Sequence, residues 1–292
     1  MKVALAQLNP TVGDLQGNAE LVRQAAEQAV AAGADLLVTS ELLVSGYPPK
    51  DLLLREGFVA ACDRVVEELA RTLPPGLGVV VGHPTARGVQ PPRVANAASL
   101  LWDGRVVDTV HKRLLPNYDV FDELRYFYPA ERARPVVFRG RKLGLHICED
   151  AWWGETGTFY EGTVAHWSDP VEELVQSGAD VLVNISASPF EIDKPLRRRR
   201  IVAEHVRRHG RPFVFVNQVG GNDDLVFDGH SFVLDAAGRC VASLAGFDSD
   251  LVVVDLDHPP EPLDPPHPLR EELLLDALVL GLRDYIPKSG FR

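Results

Sequence analysis

One junction occurs twice in this chain and sets the frame for the rest. Leu21, Val22, Ala25, Ala26, Ala29 and Val30 recur at helical spacing behind an expected cap at Asn18. The pattern ends at Gly33, and Ala34-Asp35 leads into the buried-strand pattern Leu36-Leu37-Val38. Residues 171–177 followed by Gly178-Ala179-Asp180-Val181-Leu182-Val183 repeat that order. A helix that stops on glycine and re-enters as an apolar strand is the repeating unit of an α/β fold, so the chain is expected to use one helix-strand unit twice.

The remaining patterns fill in around these units. Strands are expected at the N-terminus and over 77–81, 141–147, 211–217 and 251–256. Hairpins are expected around Asp103-Gly104 and Gly238. Phe58, Val59, Cys62, Val65, Val66 and Leu69 form one helical stripe, which makes Cys62 a core thiol. Another helix starts near Pro195, with Lys194, Arg198, Ile201 and His205 on one face. The run Arg197-Arg198-Arg199-Arg200 reads as a solvated helix start, residues 153–169 as an exposed loop. The result is a mixed-sheet α/β domain over 1–257 with helices outside.

Six prolines within 258–268 remove backbone donors and fix φ, so that segment reads as a stiff linker. Beyond it, 269–292 form a helix and tail in which Leu273, Leu274, Leu275, Leu278, Val279, Leu280 and Leu282 wrap most of the circumference. Such a helix needs partners on several sides. It is expected to dock a second protein or to pack in a homo-oligomer.

Bulk properties exclude several classes. A net charge of -11 disfavours nucleic acid and anionic membranes, which are bound by neutralising phosphates with Lys and Arg. Three scattered cysteines offer neither a disulfide framework nor a metal site. No apolar run reaches ~18 residues. A cytoplasmic protein without cofactor or metal is the expectation.

Three strand patterns run into reactive side chains: 36–38 toward Glu41, 106–111 into Lys112, and 144–147 into Cys148-Glu149-Asp150. A thiol beside acids has its pKa raised unless a base or cation offsets them. Brought together, the carboxylate of Glu41 takes the thiol proton, Cys148 attacks an acyl carbon and Lys112 stabilises the oxyanion, which gives a thioester. Taken singly, the three are a strand-end acid, a surface lysine and a core thiol. His146, two residues before Cys148 on one strand face, offers a competing Cys–His arrangement. The glycines of Val219-Gly220-Gly221-Asn222 lack the spacing of a phosphate loop.

These stretches carry a resemblance. Glu41 with Gly46-Tyr47-Pro48-Pro49-Lys50-Asp51-Leu52-Leu53, Lys112 with 115–123, and Cys148-Glu149-Asp150-Ala151-Trp152 resemble the nitrilase superfamily of carbon-nitrogen hydrolases. Together with residues 184–190 and 217–229, the match narrows to the glutaminase domains of glutamine-dependent NAD synthetases. The resemblance implies a four-layer α-β-β-α sandwich with Glu41 as general base, Lys112 as oxyanion cation and Cys148 as nucleophile. It implies that Glu123 steadies the lysine and that the Glu149 backbone N–H is a second oxyanion donor. Tyr118, Phe121 and Trp152 would wall the pocket, and Glu149, Ser188 and Lys194 would hold the α-amino and α-carboxylate groups of glutamine.

Asp119 stands where glycine is common in that family, the 153–169 loop is longer than expected, and no Ser-Gly-Gly-x-Asp-Ser loop of an ATP-binding synthetase occurs. The leading expectation is therefore a glutaminase subunit that releases ammonia for a separate ATP-dependent NAD synthetase. A nitrilase-type amidase or carbamoylase acting on another small amide, and a non-catalytic docking subunit, remain alternatives.

Overall fold

The computed structural model describes residues 1–158, 160–161, 168–266 and 268–291. Its first half contains β1 (Lys2–Gln7), α1 (Leu15–Ala31), β2 (Leu36–Val38), α2 (Phe58–Thr72), β3 (Gly78–Thr85), β4 (Ala95–Trp102) and β5 (Arg105–His111). Then come β6 (Val136–Phe138), β7 (Arg141–Ile147), α3 (Pro170–Gln176), β8 (Val181–Ser186), α4 (Lys194–His209) and β9 (Phe213–Asn217). The chain continues through β10 (Val219–Asn222), β11 (Leu225–Asp228), β12 (Phe232–Leu234), β13 (Cys240–Ser243), β14 (Asp250–Asp255) and α5 (Arg270–Lys288).

The twice-used junction closes the same way both times. Lys2 N donates to Asp35 Oδ2 and Asp35 N to Lys2 O, each at 2.8 Å; Lys142 and Asp180 repeat both bonds at 2.8 Å. Gly33 and Gly178 end their helices at φ of 73° and 87°, a left-handed cap that a Cβ would disfavour. Each junction therefore lays a parallel strand beside the one it is tied to: β2 beside β1, and β8 beside β7.

The strands form two six-stranded sheets, ordered β14-β1-β2-β3-β4-β5 and β13-β12-β9-β8-β7-β6, beside the small β10–β11 hairpin. Strand alternation decides which residues meet between the sheets: Leu36 and Val38 point in with Val3, Leu5, Leu145, Ile147, Val183 and Val216. Leu37, on the opposite face, packs under α1 and α2 with Val22, Ala26, Val66 and Leu69. Leu182, Phe213 and Phe215 do the same under α3 and α4, against Leu174, Ile201 and Val206. This is the α-β-β-α sandwich that the resemblance implies, and Cys62 lies in its core.

Several expectations change. Asn18 does not cap α1; Asp14 does, accepting from Gly17 N, while Asn18 is buried and bonded to Thr11 and Val44. β6 and the β10–β11 hairpin were not anticipated. Within the 153–169 loop, Tyr160 is buried, with its hydroxyl bonded to both backbone groups of Leu115; residues 159 and 162–167 lie outside the described residues.

The proline segment has no regular structure over 258–266 and at Pro268, and His267 lies outside the described residues. Beyond this segment α5 lies directly on the body. Leu273, Ala277 and Leu280 pack on Val219 and Phe247, and Asp284 accepts from Gly221 N at 2.8 Å. The apolar circumference is thus divided: Leu274, Leu275, Leu278, Val279 and Leu282 remain exposed. No helix among the described residues is long and apolar enough to cross a membrane.

Candidate active site

Glu41 follows β2 in a turn that crosses β3. A Cβ on Gly82 would lie 2.4 Å from Ser40 O and 2.5 Å from Leu42 N, so only glycine lets this turn approach the strand. The Glu41 side chain is fully buried. Its Oε1 accepts from Lys112 Nζ and Asn96 Nδ2, both at 2.7 Å, and its Oε2 accepts from Ala187 N at 2.8 Å.

Lys112 leaves the end of β5 and is also fully buried. Its ammonium donates to Glu41 and, at 2.8 Å, to Oε1 of Glu123, which takes a further bond from the Tyr47 hydroxyl at 2.9 Å. Burial alone would favour a neutral lysine, but the carboxylates of Glu123 and Glu41 outweigh it and hold its pKa well above the ordinary value. Burial drives the Glu123 carboxyl up to about 7, against the pull of Lys112.

Cys148 follows β7 at φ 45°, a left-handed conformation that costs a non-glycine residue about 1–3 kcal/mol and persists only where surrounding bonds impose it. Those bonds are present. Asp150 Oδ2 accepts from Ile147 N at 3.0 Å, and Asn184 Nδ2 donates to Cys148 O at 3.3 Å. Asp150 Oδ1 accepts from Arg113 N at 3.0 Å and Leu114 N at 2.7 Å, so one buried carboxylate ties the chain after Lys112 to the chain before Cys148. Burial pushes the Cys148 thiol well up, with Glu41 adding to the shift and Lys112 opposing it. A thiol so raised is neutral and would need a base to become nucleophilic.

Above the thiol is a cavity of about 150 Å³, lined by Tyr118, Phe121, Cys148, Glu149, Trp152, Ser188, Glu191 and Lys194. All six substrate-contacting residues expected from sequence line it. Glu149 is buried and held at 3.1 Å by the Tyr118 hydroxyl; burial raises its carboxyl to about 7. Lys194 Nζ lies 2.5 Å from Glu191 Oε1 and 5.7 Å from the Phe121 ring. Larger clefts of about 540 and 410 Å³, along α5 and beside β5, contain neither Glu41 nor Cys148.

His146 forms no dyad with the thiol. Its Nδ1 bonds Gly144 O at 2.8 Å, its ring meets Phe213 edge-on at 5.3 Å, and burial lowers its pKa to about 3. Sequence reasoning gives no role to Tyr47, Asp150 and Asn184, although they stand in the stretches that carry the resemblance, and does not single out Asn96. Asn96 carried a signal, because it shares an inward strand face with Ala98 and Leu100, where a polar residue needs a reason.

A nitrilase-type sandwich with a carboxylate–ammonium pair beside a strained, buried thiol defines a class of amide-hydrolysing enzyme. Residues 2–163 match the carbon-nitrogen hydrolase family, and the chain belongs to it. A glutamine-dependent NAD(+) synthetase from Synechocystis sp. is 40% identical over 303 residues, covering 99% of this chain and 53% of that protein. The structure of a glutamine-dependent NAD+ synthetase from Acinetobacter baumannii in complex with ADP superposes with a TM-score of 0.88 at 33% identity, over 99% of this chain and 52% of that one. An amidase from Nesterenkonia sp. AN1, in a structure showing Michael addition of acrylamide at its active-site cysteine, gives 0.73 at 28% identity over 88% and 93%. The chain spans about half the length of the curated relatives it matches.

Proposed function

We propose that this chain hydrolyses the side-chain amide of glutamine to glutamate and ammonia through a thioester on Cys148. The observation that carries the reading is the charge layout of the cavity. The lining offers Glu149 to an ammonium, and Lys194, which here pairs with Glu191, to a carboxylate, as the two charged groups of a free α-amino acid require.

The two bonds at Glu41 Oε1 leave Oε2, with one bond from Ala187, as the oxygen that receives the thiol proton. Cys148 Sγ then attacks the amide carbon. The oxyanion takes the third N–H of Lys112 and the Glu149 backbone N–H. Collapse breaks the C–N bond, and Glu41 returns the proton to the departing nitrogen, which leaves as ammonia. A water then gives its proton to Glu41, attacks the thioester, and frees glutamate and the thiol. Glu123 holds Lys112 from its other side throughout. Tyr118, Phe121 and Trp152 shape the wall, and Ser188 and Lys194 take the α-carboxylate.

The ammonia serves an NAD synthetase unit, since the relatives named above are glutamine-dependent synthetases. The separate synthetase subunit expected from sequence has no parallel in those relatives, which are about twice as long as the matched stretch. We assign residues 1–257 to the glutaminase, 258–268 to a linker and the exposed leucines of 269–292 to docking, on a synthetase unit or in a homo-oligomer. The substrate and three free cysteines fit a cytoplasmic enzyme.

A second reading, an amidase for another small amide, draws on the likeness to the Nesterenkonia enzyme over nearly its whole length. Turnover of a panel of small amides separates the two. Glutamine is expected to give the highest kcat/KM, with ammonia and glutamate in equal amounts. A clear preference for an uncharged aliphatic amide would overturn the glutaminase reading.

A further inference from the structure

Arg198 departs from the solvated helix start expected for its run of four arginines: it is 1% exposed, among the largest fully buried side chains of the chain. One turn of α4 beyond Lys194, it spends all five N–H donors inside the protein. Nη1 reaches Asp228 Oδ1 at 2.7 Å and Oδ2 at 2.9 Å, and Nη2 reaches Ser188 O at 2.7 Å and Pro189 O at 3.1 Å. Nε donates to Ser188 Oγ at 3.1 Å.

A serine hydroxyl has one hydrogen and two lone pairs. With the guanidinium N–H aimed at Oγ, the hydroxyl hydrogen must turn away from Arg198, and Ser188 lines the cavity. The backbone cannot swing to change this. Ser188 N donates to Asn217 Oδ1 at 2.9 Å, and Asn217 Nδ2 donates to Ser188 O at 3.2 Å and Gly229 O at 3.0 Å. Asp228 neutralises the buried guanidinium, which does not line the cavity; Lys194, paired with the half-exposed Glu191, does line it.

We propose that Arg198 is a positioning residue that fixes the Ser188 hydroxyl as a hydrogen-bond donor, so that Ser188 and Lys194 receive the carboxylate end of the substrate. A hydroxyl free to turn would accept from an ammonium as readily as donate to a carboxylate. One with a lone pair already taken and its hydrogen turned into the cavity favours the carboxylate over the ammonium. Lysine cannot substitute, because a single ammonium cannot span Asp228, two carbonyls and a hydroxyl.

The proposal rests on the glutaminase reading, and three amides test them apart: glutamine, 4-aminobutanamide, which lacks the carboxylate, and 4-carbamoylbutanoate, which lacks the ammonium. Arg198→Lys keeps a cation opposite Asp228 but releases Ser188. KM is expected to rise on the order of tenfold for glutamine and 4-carbamoylbutanoate, with kcat within about threefold and KM for 4-aminobutanamide unchanged. Should Arg198→Lys fail to fold, Arg198→Met/Asp228→Asn removes both buried charges together and is expected to show the same split. Equal losses on all three amides would overturn the proposal and leave Arg198 a structural residue. A wild-type enzyme that prefers 4-aminobutanamide to glutamine would instead overturn the glutaminase reading on which the proposal stands.

Discussion

The ammonium of Lys112 lies 2.7 Å from Glu41 Oε1, and neither side chain has any exposed surface. A buried pair of this kind is stabilising only while both members are present, because removing one strands the other charge in the interior. Here Lys112 holds two carboxylates, Glu41 and Glu123, so its loss strands two.

Lys112→Met is therefore expected to lower stability by about 3–5 kcal/mol in urea unfolding. It should also lower kcat by about a hundredfold or more through loss of the oxyanion donor. A stability change under about 1 kcal/mol with kcat within tenfold of wild type would show that the pair does neither job.

Asp150 links the Lys112 and Cys148 segments through three backbone N–H groups and touches no substrate-lining side chain through its carboxylate. Asp150→Asn keeps the shape but turns one acceptor into a donor, at a stability loss of about 1.5–3 kcal/mol. Because the two reacting groups then lose their common tie, kcat is expected to fall about tenfold or more while KM for glutamine changes little. A variant with reduced stability and unchanged kcat would contradict this link.

Glu149 carries its proton up to about 7 in the fold, against 4.5 ordinarily, because burial penalises the carboxylate. The folded protein therefore binds more protons than the unfolded chain between those values. The corresponding stability is full below about 4.5 and is lost as pH rises through about 7. Substrate ammonium needs the ionised form, so kcat/KM for glutamine is expected to climb with pH through about 7. Glu149→Gln should raise KM and remove that limb; a limb that persists unchanged would assign it to another group, such as Glu123, also near 7.

The two faces of α5 are expected to respond oppositely. Leu280, 1% exposed against β10, should cost about 2–5 kcal/mol on replacement by alanine. Leu278, 72% exposed, should tolerate Leu278→Asp within about 0.5 kcal/mol and lose any association the exposed face supports, as read by analytical ultracentrifugation. Unaltered association of Leu278→Asp with itself and with an NAD synthetase unit would remove this face as a docking surface.

The reactive residues were legible because each lies at or just beyond the end of an apolar strand pattern, where a charged or thiol side chain has no packing role. Both helix-strand junctions were legible too, since Gly, Ala and Asp recur in the same order. What was hidden depends on contacts between distant segments. Nothing local distinguishes Arg198 from three neighbouring arginines except its helical register with Lys194 and Ile201. The β10–β11 hairpin escaped because Gly220 and Gly221 break apolar alternation. Asp150 stands in sequence as one of two acids after Cys148, and only the folded chain brings three backbone N–H groups to it. The division of α5 into buried and exposed faces is likewise set by the surface beneath it, since its leucines wrap most of the circumference.

Covalent catalysis by Cys148 on glutamine can be read by acid quench during steady-state turnover followed by peptide mass mapping. A γ-glutamyl group is expected on the peptide containing Cys148, absent from those containing Cys62 and Cys240, and lost in Cys148→Ala together with ammonia release. Glutamine hydrolysis that continues at the wild-type rate in Cys148→Ala, or an adduct found at Cys62 or Cys240 instead, would rule out a thioester on Cys148.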